Sequence, residues 1–360
     1  MFRVLRGFAR SRSGSMMPLF LVSLMPLIAV IGFSVDYTGA VQTKSNQQQA
    51  LDAAILTITT MDTTSTLAQR QGLLQDSFAA NGGQGAATLT NFVAGTATTA
   101  TTAQATASFA MPTVFMSIAR ISTVPIAVAS AVSKPPALVN ATFKVTGVSG
   151  YWNKTMTLYG TQFGATQAKS LMTIDYVYGG TGDRKGYGTT TVSVITTDSR
   201  NRPVSTVVQK QVCQLVDANT PAGAVIQTDT FQTKYYCVDT MYPADGTGAS
   251  IDVSQMGGLY LQMNVPSGNP KNLATNDAAT SDRLYTGVMN PLTNKVDYTE
   301  TATGQIVDIF SIVPCGTTGY QAWEDGGSAV PAPVGNADFF YNVTGKCDYN
   351  KRPSETALTQ

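Results

Sequence analysis

Glu324 and Asp325, in the run Ala322-Trp323-Glu324-Asp325-Gly326-Gly327, are the side chains whose types best suit general acid–base work. Two carboxylates can divide the donor and acceptor roles between them. Adjacent residues of a strand point to opposite faces, so the pair acts together only if a turn reorients one of them. The plainer reading is a turn with a capping carboxylate. The chain contains no histidine. This excludes Ser-His and Cys-His hydrolases and histidine-ligated metal centres, and leaves carboxylate pairs, Ser-Lys dyads or cofactor chemistry. Four cysteines, Cys213, Cys237, Cys315 and Cys347, show no Cys-x-x-Cys spacing, which argues against zinc; their even number argues for disulfides. Of the three connectivities, Cys213 with Cys237 and Cys315 with Cys347 closes the smaller loops, each stabilising by about 3 to 4 kcal/mol. No motif calls for a cofactor or a metal. The charged loop residues Asp183, Arg184, Lys185, Lys351 and Arg352 read as solvated.

The elements that would position these groups are β-strands. Phe143 and Val145, Met156 and Leu158, Thr191-Val192-Ser193-Val194-Ile195 and Ile306-Val307-Asp308-Ile309-Phe310 are short β-branched or aromatic runs separated by Gly, Pro, Asn and Asp. Residues 136–360 are therefore expected to form one mainly β domain, an antiparallel sandwich stapled by disulfides. Residues 81–135 form an Ala/Thr-rich connecting region with short strands. Within it, the stretch up to Ser108 reads either as a flexible linker or as a strand pair, Thr favouring the strands and Ala opposing them.

Upstream, the pattern changes to helix. Arg3, Arg6, Arg10 and Arg12 precede a run from Ser15 to Val35 that carries no charge. A bilayer core of about 30 Å needs about 20 apolar residues, so 15–35 reads as a single transmembrane helix. The basic residues place 1–14 in the cytoplasm and the remainder of the chain, cysteines included, on the far side. A cleaved signal peptide is the alternative, but the run is long and Phe33-Ser34-Val35-Asp36-Tyr37 offers no small-x-small site. The helix is expected to continue as an amphipathic stalk over 36–80. In it Leu51, Ala54, Ile55, Ile58 and Met61 share one face, which must be buried against the chain's own ectodomain or a neighbouring copy, giving a homo-oligomer through the stalk. The formal net charge is +1, and four arginines lie at the anchor. Nucleic acid is not an expected partner.

Gly14-Ser15-Met16-Met17-Pro18-Leu19-Phe20, the apolar run, Val35-Asp36-Tyr37 and Gln49-Ala50-Leu51-Asp52-Ala53-Ala54 together resemble the N-terminal module of TadE/TadG-like proteins of the Flp (Tad) pilus assembly system. The resemblance covers about residues 14–60. It implies a protein anchored in a bacterial inner membrane with its C-terminal domain in the periplasm. Its implied partners are the membrane and other pilus-assembly membrane proteins, and its implied role is that of an assembly factor or a minor pilin-like component. A weaker likeness covers Met111-Pro112-Thr113-Val114-Phe115-Met116 and the residues that follow. Pilin-type processing after Gly14 is a further alternative, although Leu19 stands at the fifth position after that point, where such precursors carry glutamate.

Many TadG-like proteins hold a metal on Asp-x-Ser-x-Ser. The nearest string here, Asp252-Val253-Ser254-Gln255-Met256, puts a thioether where the second hydroxyl should be, and a thioether is a poor ligand for a hard cation. The segment reads instead as a turn into a half-buried strand, Leu259, Leu261, Met263 and Val265 alternating with polar neighbours. Three functions are compatible with these residues. The first is a non-enzymatic envelope protein of pilus assembly. The second is an adhesin or ligand-binding module using Tyr151, Trp152 and Trp323. The third is a carboxylate-dependent envelope hydrolase built on Glu324.

Overall fold

A computed structural model describes residues 16–62, 64–96, 98–180, 187–228, 232–326, 333–349 and 356–359. The basic segment 1–14 with its processing point, and the loop charges Asp183, Arg184, Lys185, Lys351 and Arg352, lie outside the described residues. The chain forms two compact units: the first from Met1–Gly95, Ala100–Pro135 and Pro353–Gln360, the second from Thr96–Thr99 and Pro136–Arg352.

Unit 1 is built on α1 (Met16–Ile58), 43 residues with Pro26 inside, about 65 Å long at 1.5 Å per residue. The expected stalk helix over 36–80 is two helices. After Ile58 the chain meets threonines whose hydroxyls bond back to the main chain, Thr59 to Leu56 O at 2.8 Å and Thr60 to Thr57 O at 2.7 Å. Such bonds compete with continued helix. The buried Arg70 then donates to Ile58 O and Asp62 O, both at 2.7 Å, and lies over the Phe92 ring. It thereby satisfies carbonyls that a helix end leaves open. Thr66 and Gln69 form a capping box that starts α2 (Leu67–Ala80).

Residues 81–135, expected as a connecting region with short strands, supply most of a sheet, so of the two readings of the Ala/Thr-rich stretch the strands are the one observed. β1 (Ala86–Val93), β2 (Thr101–Pro112) and β3 (Thr123–Lys134) pair antiparallel in that order, and Ala357–Leu358 adds a short fourth strand at the free edge of β3. The Ala/Thr alternation is what allows this. Thr101, Ala103, Ala105 and Ala107 turn inward while Thr102, Gln104, Thr106 and Ser108 face out. Small inward side chains let the helices press close, and Ala50, Leu51, Ala54, Ile55, Ile58, Leu74 and Phe78 fill the space above them. Burying each of the large members contributes about 1.5 to 3 kcal/mol.

Unit 2 is the antiparallel β domain expected from the strand pattern, with fourteen described strands. In chain order these are β4 (Ala137–Val148), β5 (Lys154–Gln162), β6 (Ala168–Tyr178), β7 (Gly188–Thr197), β8 (Pro203–Leu215), β9 (Ile226–Thr228) and β10 (Lys234–Met241). There follow β11 (Ala249–Asp252), β12 (Met256–Asn264), β13 (Asn272–Ala274), β14 (Leu284–Asn290), β15 (Lys295–Glu300), β16 (Thr318–Trp323) and β17 (Phe339–Asp348). One sheet has the order β13-β12-β5-β6-β7-β8-β10-β9, the other β11-β4-β17-β16-β14-β15. Their inward residues, among them Leu158, Ile174 and Leu261 from the first and Phe143, Trp323 and Val343 from the second, form one core. Ile306–Phe310 is not a strand. Asp308 accepts the Phe310 N–H at 3.0 Å and caps a single helical turn, α3 (Ile309–Ile312). Two disulfides are present. Cys213–Cys237 joins directly opposed residues of β8 and β10, and Cys315–Cys347 ties the loop before β16 to β17.

Candidate functional site

The two acids singled out by type sit in a buried charge network at the end of β16. Glu324 receives a hydrogen bond from Arg283 Nη1 and the Gly326 N–H at 2.8 Å. Lys154 Nζ, at the start of β5, donates to Asp325 Oδ2 at 2.5 Å and to Ser149 O at 2.9 Å, and lies 4.0 Å from Asp338 Oδ2. All five side chains are buried. Burial pushes the Asp325 carboxyl up to about 6, against the pull of the Lys154 ammonium and with the Asp338 charge adding to the rise.

The reading of a turn with a capping carboxylate holds for Glu324, which accepts the Gly326 N–H, but the pair also belongs to a buried charge network. Each acid has a buried cationic partner, because a charge inside a protein is tolerated only when paired. Lys154, Arg283 and Asp338 are the members that sequence reasoning missed. Lys154 and Asp325 are 171 positions apart, and no local pattern links them. Glu324, Asp325 and Asp338 place oxygens within 4.8 Å of one another, a spacing that could hold a metal ion. The Lys154 ammonium and Arg283 guanidinium already supply the positive charge there.

At the other candidate positions the side chains have structural partners. Asp252 Oδ1 accepts the Ser254 N–H at 2.9 Å in a turn, and the buried Met256 opens β12. Trp323 is fully buried and donates its indole N–H to the Tyr341 hydroxyl at 3.3 Å. Trp152 is half-buried against the core, and Tyr151 is exposed. The aromatic contact surface envisaged for an adhesin therefore loses Trp323.

The remaining candidate is α1. Its stripe Leu51, Ala54, Ile55 and Ile58 is covered by the chain's own sheet, with Met61 packed on the same cluster just past the helix end. Of the two expected covers, the ectodomain is the one observed, so the stripe is not a face open to partners or to a second copy. Polar contacts extend it toward the N-terminus. Gln48 Nε2 donates to Ala129 O at 2.9 Å, and Thr43 Oγ1 donates to Met111 Sδ at 3.4 Å. Asp36 accepts the N–H groups of Val114, Phe115 and Met116 at 3.2, 2.9 and 2.6 Å. Gly32 is buried beneath Phe115, where an added Cβ would lie 2.7 Å from the Phe115 Cβ.

Beyond Gly32 toward the N-terminus that cover ends. Phe20, Val22, Met25, Ile28 and Ile31 are all more than half exposed, Met25 reaching 75%. α1 is thus two segments in one helix, a bare apolar half and a half roofed by its own sheet. By length and composition the helix from Phe20 to Ile58 is long and apolar enough to cross a membrane. No curated protein and no solved structure matches the chain. Residues 14–57, which take in α1 almost end to end, match the family model described as putative Flp pilus-assembly TadE/G-like, and the N-terminal module of this chain is similar to that family.

Proposed function

We propose that this chain is a membrane-anchored, non-enzymatic component of an Flp (Tad) pilus-assembly machine. It crosses the inner membrane once, with 1–14 in the cytoplasm, the run up to Val35 in the bilayer, and the rest of unit 1 and all of unit 2 in the periplasm. The observation that carries this reading is the coincidence of the matched module with α1. Among the described residues of that module, exposed large apolar side chains are densest from Met17 to Val35, and a helix of that length, about 20 residues, suits a bilayer core. Other membrane helices of the assembly are the partners this bare surface fits, since a lipid-facing helix can also pack against its neighbours. The paired state of Glu324 and Asp325 supports a structural role for the acids over a catalytic one.

The test is genetic. A strain lacking the chain should lose surface pili. Complementation should succeed with the wild type and fail when Leu27 and Ile28 are both replaced by arginine. Normal piliation in the deleted strain overturns the proposed role. Restoration by the double arginine variant overturns the anchor.

A further inference from the structure

The tip of the β2–β3 hairpin carries a row of apolar side chains that the fold of unit 1 does not cover. Val114 is 71% exposed, Ile118 81% and Ile121 47%, with Phe115 at 36%. In water such a tip would be costly; its position gives it a use. Asp36 and Gly32 fasten it to α1 at the end of the uncharged run that closes at Val35. Gly32 lies three residues before Val35, about 4.5 Å along the axis. A span that ends at Val35 therefore brings the tip level with the membrane boundary. We infer that the β2–β3 tip dips into the leaflet on the sheet side and is a second, monotopic contact between unit 1 and lipid. This rests on the reading of α1 as a membrane span.

Two further observations fit a lipid surface. The first concerns the backbone, because a segment entering a region poor in water must satisfy its own amides. Those of Val114, Phe115 and Met116 are taken by Asp36, while Thr113, Ile118, Arg120 and Ile121 donate to carbonyls of the tip. The second concerns charge. From Ser77 to Ser133 the sequence holds a single charged residue, Arg120, exposed at the end of the tip's short helical turn. An arginine bordering apolar side chains can bury its stem and hold its guanidinium at the phosphates. The one acid at this level, Asp36, has both oxygens engaged by amides.

All four native cysteines are in disulfides, so an introduced cysteine is the only free thiol. Ile118→Cys, Leu27→Cys and Leu67→Cys, each at an exposed position, would be labelled with pyrene. The full-length protein would be reconstituted in nanodiscs of phosphatidylethanolamine and phosphatidylglycerol containing doxyl-labelled lipid. The expected result is that Leu27 is quenched by deep doxyl groups. Ile118 should lose more than half its emission to shallow ones, and Leu67, on α2, should be unaffected. Quenching at Leu27 without quenching at Ile118 overturns the inference and leaves the anchor standing. Absence of quenching at both overturns the anchor itself. Pyrene excimer emission at Ile118 without lipid quenching assigns the tip to a second copy, and that also overturns the inference.

Discussion

Met116 donates its backbone N–H to Asp36 Oδ2 at 2.6 Å, across 80 positions of sequence. With the Val114 and Phe115 amides it makes one side chain of α1 the fastening point of a whole hairpin. Asp36 therefore positions the tip, a role distinct from ending the apolar run.

Asp36→Ala should free the tip while leaving the rest of unit 1 folded, because the Leu51–Phe78 cluster lies at the far end of α1. The amides of Val114, Phe115 and Met116 would then exchange with solvent much faster than in the wild type, while those of β2 near Ala105 keep their protection. Equal exchange at the tip in both proteins would remove Asp36 as the fastening point.

Gly32→Val places a side chain where the Phe115 ring now sits. It should displace the tip although valine is the better helix former of the two. The same amides would lose protection, and a second substitution, Phe115→Gly, should restore it by removing the Cβ as well as the ring. Failure of the double variant to recover would mean that the close approach is not what requires glycine.

Leu51→Ala, in the buried stripe of α1, should destabilise unit 1 by about 3 kcal/mol through lost burial and the cavity left behind. Leu51→Asp or Ile55→Asp should open the unit to protease around β2 and β3. Loss of membrane partners in those variants would accompany unfolding rather than precede it. A variant that stays protease-resistant yet loses its partners would return the stripe to the role of an outer contact face.

Asp325 binds its proton more tightly in the folded protein than in the unfolded chain, since burial raises its carboxyl from 3.8 to about 6. A raised carboxyl stabilises the fold while it is protonated. Its contribution is complete below about pH 4 and is lost as the pH climbs through about 6. Asp325→Asn, neutral throughout, should flatten that part of the profile. Urea midpoints for both proteins at mildly acidic and neutral pH would check it, and parallel profiles would contradict the assignment.

The apolar helix was legible because a long charge-free run follows four arginines, and the sandwich because short β-branched runs recur between turn residues. The Ala/Thr-rich stretch was ambiguous for a definite reason. Alanine at every second position weakens strand propensity, yet it supplies the flat surface that a covering helix requires, and only the packed partner reveals this. The stalk's interruption was readable in part, since the threonines of 57–66 and the Thr66/Gln69 capping box are local signals. The Arg70 contact with Ile58 is tertiary and leaves no such trace. Likewise the type of Glu324 and Asp325 drew notice, but their state depended on Lys154, Arg283 and Asp338, which strand pairing brings from distant positions. The strand read at Ile306–Phe310 failed on one residue, Asp308, whose capping bond outweighs the β-branched neighbours.

The strand Ala357–Leu358 that completes the sheet of unit 1 is separated from β3 by the Pro136–Arg352 stretch of unit 2. A chain made from its N-terminus must therefore produce residues 136–352 before the sheet of unit 1 can close. Until that last strand arrives, the β3 edge at Val132–Ser133 stands open, a landing place for any extended segment that reaches it first. Assembly of this protein thus has a built-in order, in which the part made earliest is the part completed latest.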